Sequence, residues 1–175
     1  MNHVSPKRPS RRLPPPPRRH GSEGRAGRRS LVVGTDLVEV AQVAHSLQTF
    51  RERYLTRVFT ADELAYCLDG RRDPARHLAA RFAAKEATLK ALRQNDEAVD
   101  WRSVEVRRRP DGSCEIVLHG GVRALAERLA VDVLSVSMSH DGAYATAVVI
   151  AERREKWRLP ASRLARKTPR GAYER

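Results

Sequence analysis

Several residue types that usually mark a structural class are scarce in this sequence. Only two cysteines occur among 175 residues, too few for a disulfide framework or a zinc site. Aromatic residues make up 5% of the chain, which leaves few rings for stacking on nucleic-acid bases. No apolar run reaches the roughly 18 to 20 residues that cross a bilayer, and no secretory signal is recognisable. There is no internal repeat and no glycine-rich phosphate loop. These absences favour a soluble cytoplasmic protein without a membrane segment.

Positive charge is abundant, and it is concentrated at the two ends of the chain. The formal net charge is +13. Residues 1–30 contain nine Lys and Arg against one Glu, and residues 152–175 contain nine against three acids. The span 31–151 is nearly neutral, with 16 basic and 17 acidic residues. The sequence therefore predicts one folded domain at 31–151 between two basic tails.

The first tail, residues 1–30, holds six of the ten prolines and few apolar residues. It is predicted to be disordered, because it cannot bury enough apolar surface to offset the entropy lost on ordering. Basic tails alone can bind nucleic acid in a salt-sensitive, non-specific way, so a nucleic-acid-binding protein is one alternative function. The neutral domain carries no recognition motif, which argues against specific nucleic-acid binding.

The spacing of apolar residues predicts a mixed architecture. A β-branched run at 31–40 predicts a buried strand. Amphipathic stretches predict helices over 42–55 and 61–67, the second opening with a capping box at Thr60. The strongest helical pattern covers 75–93, where alanine is the commonest residue.

The second half of the domain changes to the two-residue period of strands. Alternating apolar residues on both sides of Pro110-Asp111-Gly112 predict a hairpin, and a helix is expected over 122–129. Two final strands are predicted at 134–138 and 143–150. This order predicts an α+β fold with an antiparallel sheet rather than a βαβ winding.

Two acids are candidate site residues, and each also has an ordinary structural interpretation. Asp36 with Glu39 has the spacing of a helix cap, although Gly34 on the same strand face would leave room beside Asp36 for a ligand. Glu86 and Lys90 have the spacing of a solvated ion pair on a helix. Composition and periodicity alone do not decide between these interpretations.

Four segments together resemble the holo-acyl-carrier-protein synthase family of 4'-phosphopantetheinyl transferases. They are VVGTDLVEV (32–40), RVFTADELAYC (57–67), RHLAARFAAKEATLKAL (76–92) and SVSMSHDGAYATAVVI (135–150), in the family's order. The resemblance implies an α+β fold in which an antiparallel sheet packs on a long helix. It also implies a homotrimer with active sites at subunit boundaries.

The reaction that this resemblance implies is the transfer of the 4'-phosphopantetheine arm of coenzyme A to a serine of an apo acyl carrier protein. Adenosine 3',5'-bisphosphate leaves, and the product serves fatty-acid or polyketide synthesis. The implied cofactor is Mg²⁺, coenzyme A is the co-substrate, and the partner is an acidic carrier protein. A paralogue that binds coenzyme A or a carrier without turnover is a further alternative.

The family's functional residues carry over onto specific positions. Asp36 and Glu86 match the two metal-holding acids, and with Lys90 they form the catalytic set. The coenzyme-binding set that the resemblance implies is Arg81, Phe82, Lys90 and His140. Gly34, Ala79 and Ala83 would then leave space for the coenzyme.

Two positions depart from the family's pattern. Gln42 stands where an arginine commonly grips the carrier, so Arg51, Arg53 and Arg57 are the candidate carrier contacts. Cys114 replaces a proline after the hairpin turn.

Overall fold

The computed structural model describes residues 28–70, 73–94 and 99–154, and nearly all of the two predicted tails lies outside these ranges. The predicted succession of strands and helices is confirmed, with a short 3₁₀ turn added at Trp101–Ser103. The elements in chain order are β1 (Arg29–Glu39), α1 (Val40–Val58), α2 (Ala61–Cys67), α3 (Pro74–Ala91), β2 (Val104–Arg108), β3 (Cys114–Leu118), α4 (Gly120–Arg128), β4 (Val131–Asp141) and β5 (Tyr144–Arg154).

The strands form two separate antiparallel units. β1, β5 and β4 make a three-stranded sheet in that order, and β2 pairs with β3 as the predicted hairpin. The strands of the sheet alternate sharply between two faces. On β5 the residues Ala145, Ala147, Val149 and Ala151 are buried on one face, while alternate residues face outward.

Helix α3 covers the buried face of the sheet and forms the centre of the core. Its approach to β1 is very close at Gly34, where an added Cβ would lie 1.9 Å from the carbonyl oxygen of Ala87. Ala79 and Ala83 on the same helix are fully buried in the main core cluster. The expectation that these small residues leave space for a coenzyme is therefore wrong, because the helix and sheet themselves fill that space.

The hairpin and α4 add a second, smaller apolar cluster beside α3. Leu89, Leu92 and Val104 are buried there with Val122 and Ala126 of α4. This cluster fixes the C-terminal part of α3 from the side opposite the sheet. No helix in the described part of the chain is both long enough and apolar enough to span a membrane.

The predicted boundaries differ from the observed ones mainly at strand ends. β1 ends at Glu39, and Val40 already belongs to α1. β4 and β5 are each 11 residues long. Strand pairing continues past both ends of the stretch that predicted β4 but only past the C-terminal end of the one that predicted β5, which begins at Tyr144. Helix α1 contains a break at Arg51, whose backbone has φ 44° and ψ −126°.

Candidate active site

Asp36 lies within β1 on the face that α3 covers. It is paired with Ala147 of β5, and its backbone carbonyl accepts a hydrogen bond from Thr146 Oγ1 at 2.9 Å. The helix cap that its spacing with Glu39 predicted is absent: Glu39 occupies the N-cap of α1, with no capping bond from its side chain. The strand continues three residues past Asp36, so its side chain cannot reach the helix start.

Lys90 approaches Asp36 from the last turn of α3. Its Nζ donates to Asp36 Oδ1 at 2.7 Å, so Lys90 forms its ion pair with a residue 54 positions away in the chain. The negative charge of Glu86 also attracts Lys90. The Asp36 side chain is 14% exposed, whereas that of Lys90 is 53% exposed. The structure thus brings all three members of the predicted catalytic set together at an opening to solvent.

Glu86 is half-buried on α3, one turn before Lys90. Burial raises the pKa of Glu86 above its usual range, the charge of Asp36 raises it further, and Lys90 opposes both effects. The hydrogen bond to Asp36 raises the pKa of Lys90. Two carboxylates that repel each other beside one lysine make a site that attracts a further cation.

These two acids suit a magnesium ion by the chemistry of their donors. Mg²⁺ prefers oxygen ligands and is usually held by one or two carboxylates together with substrate phosphates and water. Among the described residues no cluster of three or more His, Cys, Asp or Glu forms a closed cage. A pair of carboxylates open to solvent fits a metal that shares its coordination with a phosphorylated substrate.

A basic and aromatic groove of about 330 Å³ lies at the other end of α3. His140 of β4 and His77 of α3 meet edge to face there, with ring centroids 5.2 Å apart. The guanidinium of Arg81 lies 4.3 Å from the ring centroid of Tyr66, and that of Arg108 lies 5.5 Å from it. The groove joins two predicted coenzyme residues, Arg81 and His140, with three that sequence reasoning missed.

Phe82, like Lys90, lies apart from the groove that contains Arg81 and His140. It is half-buried, and its ring packs on Trp101 with centroids 5.2 Å apart. It is not among the residues that line the groove. Its predicted role at the coenzyme therefore stays a prediction.

Lys85 directly precedes Glu86 on α3, but it is not open to solvent as Lys90 is. Instead its side chain is fully buried, and Nζ donates to Glu63 Oε2 at 2.9 Å. Burial lowers the pKa of Lys85, and the charge and hydrogen bond of Glu63 oppose that effect. The capping box of α2 is confirmed, and the same Glu63 completes it.

The three candidate carrier contacts, Arg51, Arg53 and Arg57, are all exposed on α1. Arg51 occupies the break in the helix, while Arg53 and Arg57 are one helical turn apart in the segment after it. Phe50 beside them is 55% exposed. The arrangement is a basic surface with one apolar ring, open to a partner.

Comparison with known proteins identifies the family. The sequence model of the 4'-phosphopantetheinyl transferase superfamily (ACPS) matches residues 32–149. The holo-[acyl-carrier-protein] synthase of Moorella thermoacetica is 43% identical over 122 residues, which are 70% of this chain and 94% of that protein. The Koribacter versatilis protein of the same name is 40% identical over 70% of this chain and 98% of its own length.

Solved structures give the same result. The Chronobacterium ammoniagenes ACPS–CoA complex superposes with a TM-score of 0.64 and 33% identity, covering 73% of this chain and 99% of that one. The Helicobacter pylori holo-[acyl-carrier-protein] synthase in complex with coenzyme A gives a TM-score of 0.60 at 27% identity, covering 68% and 98%. With matching motifs, a matching fold and relatives covered over nearly their whole length, the chain belongs to the 4'-phosphopantetheinyl transferase superfamily.

Proposed function

We propose that the protein is a holo-[acyl-carrier-protein] synthase, which transfers the 4'-phosphopantetheine arm of coenzyme A to a serine of an apo acyl carrier protein. Its relatives carry that name, and two of the similar structures are complexes with coenzyme A. The observation that carries the proposal is the meeting of Asp36, Glu86 and Lys90 at an opening beside α3. Retention of this set argues against an inactive paralogue.

Asp36 and Glu86 are the residues that we expect to hold Mg²⁺. When bound, the ion would neutralise charge on the pyrophosphate of coenzyme A. In this structure Lys90 supplies the positive charge that pairs with Asp36, so Lys90 and a divalent cation are alternative partners for that carboxylate.

Lys90 is the residue that we assign to the transferred phosphate. Phosphoryl transfer depends on positioning and on stabilising the developing charge more than on covalent chemistry by the enzyme. The serine hydroxyl attacks the β-phosphate, and adenosine 3',5'-bisphosphate carries away the electron pair of the broken bond. We assign to Glu86 a second role, acceptance of the serine proton through a water molecule.

The groove at His140 is our candidate for the coenzyme's nucleotide end. Arg81 and Arg108 present cationic groups there, and the ring of Tyr66 lies against both. Phosphate groups favour such arginines, because the guanidinium donates two parallel hydrogen bonds. Protonated His140 would add positive charge at the same place.

The exposed arginines of α1 are our candidate docking surface for an acidic carrier. Arg53 and Arg57 lie on one side of the helix, and neither is needed to fill the core. Charge complementarity of this kind mainly raises the association rate and selects the partner.

The outward face of the sheet supports assembly into the homotrimer that the family resemblance implies. Leu31, Val33 and Leu37 of β1 are 65%, 57% and 64% exposed, and Val148 and Ile150 of β5 lie beside them. A contiguous exposed apolar patch on a folded domain marks an interaction site. We propose that copies of this chain cover it.

The proposed function is tested by incubating the purified protein with coenzyme A, an apo acyl carrier protein and Mg²⁺. Mass spectrometry should show the carrier gaining one phosphopantetheine arm, and chromatography should show an equal amount of adenosine 3',5'-bisphosphate. Removal of the metal with a chelator should stop both, and restored Mg²⁺ should recover them. If none of several acidic apo carrier proteins gains the arm at saturating Mg²⁺, the proposal is overturned.

A further inference from the structure

Lys85 and Glu63 form a buried ion pair in which every polar atom has a partner. The three hydrogens of the Lys85 ammonium are matched by Glu63 Oε2 at 2.9 Å, the carbonyl oxygen of Trp101 at 3.1 Å and that of Val104. The Glu63 carboxylate also accepts from the backbone N–H of Thr60 at 2.8 Å and of Val106 at 3.0 Å. Both side chains are 0% exposed.

This network joins four parts of the chain at one point of α3. It connects the helix to the N-cap of α2, to the 3₁₀ turn and to β2. Lys85 immediately precedes Glu86, and consecutive helical residues point about 100° apart around the axis. The direction of the Lys85 side chain therefore determines the direction of Glu86.

The opposite side of α3 packs closely on Gly34 of β1. The bonds that join this side to the sheet lie at the last turn of α3 and come from long side chains, Lys90 to Asp36 and Arg153 to the carbonyl oxygen of Ala91. Small residues allow the helix to approach the strand, and the packing at Gly34 itself has no directional bond that prevents rotation or sliding. The three bonds of Lys85 are directional, and a movement of one residue, about 1.5 Å along the axis, would break them. Lys90 is half-exposed, so the bonds of Lys85 are the fully enclosed restraint on the rotation of α3, directly beside Glu86.

We propose that Glu63 and Lys85 are a positioning pair, which holds α3 so that Glu86 faces Asp36. The inference rests on the proposed function, because it assigns the pair to the proposed metal site. A fully buried ion pair is a poor source of net stability, since the cost of desolvating both charges offsets their attraction. Its contribution here is the fixed direction of the helix, and loss of the pair should weaken metal binding more than folding.

The test replaces both charges together, in the double variant Glu63→Gln with Lys85→Met. Glutamine supplies an amide oxygen that can accept the capping bond from Thr60, and methionine keeps most of the lysine stem, so no unpaired charge remains buried. Val122→Ala on α4 is the control, since it loosens apolar packing on the C-terminal part of α3 without changing the Glu63–Lys85 bonds. Unfolding in urea establishes that both variants are folded under the assay conditions.

Two measurements then decide the role of the pair. The Mg²⁺ concentration for half-maximal transfer should rise about tenfold in the double variant, the size expected when groups that orient metal ligands are lost. Binding of Mn²⁺ in the presence of coenzyme A, followed by electron paramagnetic resonance without turnover, should weaken by a similar factor. The control should keep both values.

Unchanged metal dependence in the double variant, with only the maximal rate reduced, would overturn the inference and leave the pair a purely structural feature. If the double variant does not fold, Glu63→Asp, which keeps both charges but shortens the reach to Lys85, should raise the half-saturating Mg²⁺ concentration in the same direction, and no rise would count against the pair. The Mn²⁺ measurement needs no turnover. Failure of the wild-type protein to transfer the arm would therefore contradict the proposed function, while Mn²⁺ binding would still test the positioning pair.

Discussion

Two lysines on α3, five positions apart, each pair with one carboxylate, but their surroundings are opposite. Lys85 and Glu63 are fully enclosed, and protein atoms satisfy the whole pair. Lys90 is 53% exposed, and the carboxylate of Asp36 lies at the edge of the opening. The enclosed pair can only hold structure, whereas the open pair can exchange partners with a ligand. One helix thus carries the proposed positioning pair and the proposed catalytic residues side by side.

The largest expected effect is on stability, and it comes from breaking the enclosed pair on one side only. Lys85→Met leaves the Glu63 carboxylate buried without its counter-charge, which costs about 3–5 kcal/mol of unfolding free energy. Lys90→Met at the exposed pair should cost less than about 1 kcal/mol. Urea unfolding of both variants makes the comparison, and equal losses would show that the two pairs do not differ as described.

The next effect is on catalysis, where a change at the exposed site should lower the transfer rate strongly but leave the unfolding free energy nearly unchanged. Glu86→Gln removes one of the two acid charges while keeping the shape of the side chain. Transfer should fall by about 100-fold or more, while the unfolding free energy stays within about 0.5 kcal/mol of wild type. Steady-state transfer at saturating Mg²⁺ measures the first quantity. Activity close to wild type would remove Glu86 from the catalytic set.

A smaller effect is expected where α3 approaches β1. Gly34→Ala would place a Cβ 1.9 Å from the carbonyl oxygen of Ala87 and 2.7 Å from the amide nitrogen of Ala91, so the helix must move away from the strand. We expect a loss of about 1–3 kcal/mol in unfolding free energy, together with reduced transfer. Gly121→Ala is the matched control, because its added Cβ meets nothing within 4 Å. A Gly34→Ala protein as stable as that control would contradict the close contact.

The smallest effect concerns the surface of α1. Arg57→Glu should raise the KM for the carrier about fivefold, equivalent to about 1 kcal/mol, and leave the KM for coenzyme A unchanged. Arg128→Glu, an exposed arginine on α4, is the control for net charge alone. An equal rise in the carrier KM for the two charge reversals would contradict a docking surface for the carrier on α1.

The sequence predicts the elements well because their local patterns are strong. The alanine-rich helix α3 and the capping box at Thr60 are confirmed, and the hairpin lies where its turn residues predicted it. Periodicity reports which residues are apolar at a given spacing, and these elements depend on little else. The ends of β4 and β5 depend on pairing between strands, which local patterns do not contain.

The contacts within the site could not be predicted from local sequence patterns, because they join distant parts of the chain. The spacing of Glu86 and Lys90 predicted a surface pair, yet Lys90 bonds to Asp36, 54 residues away. Lysines are rarely buried, so nothing local indicated that Lys85 would be enclosed with Glu63. Only the family resemblance decided between the two interpretations of Asp36 and Glu86, and it attached no role to Tyr66, His77 or Arg108 in the groove.

The most direct test of the central claim is the mass of an apo acyl carrier protein after incubation with coenzyme A, Mg²⁺ and either wild type or Asp36→Asn. Asparagine keeps the size of the side chain but removes the charge that meets both Lys90 and the proposed metal. Wild type should convert the carrier to a species heavier by one phosphopantetheine arm, and a folded Asp36→Asn protein should leave it unmodified over the same time. Equal conversion by the two proteins would contradict the account.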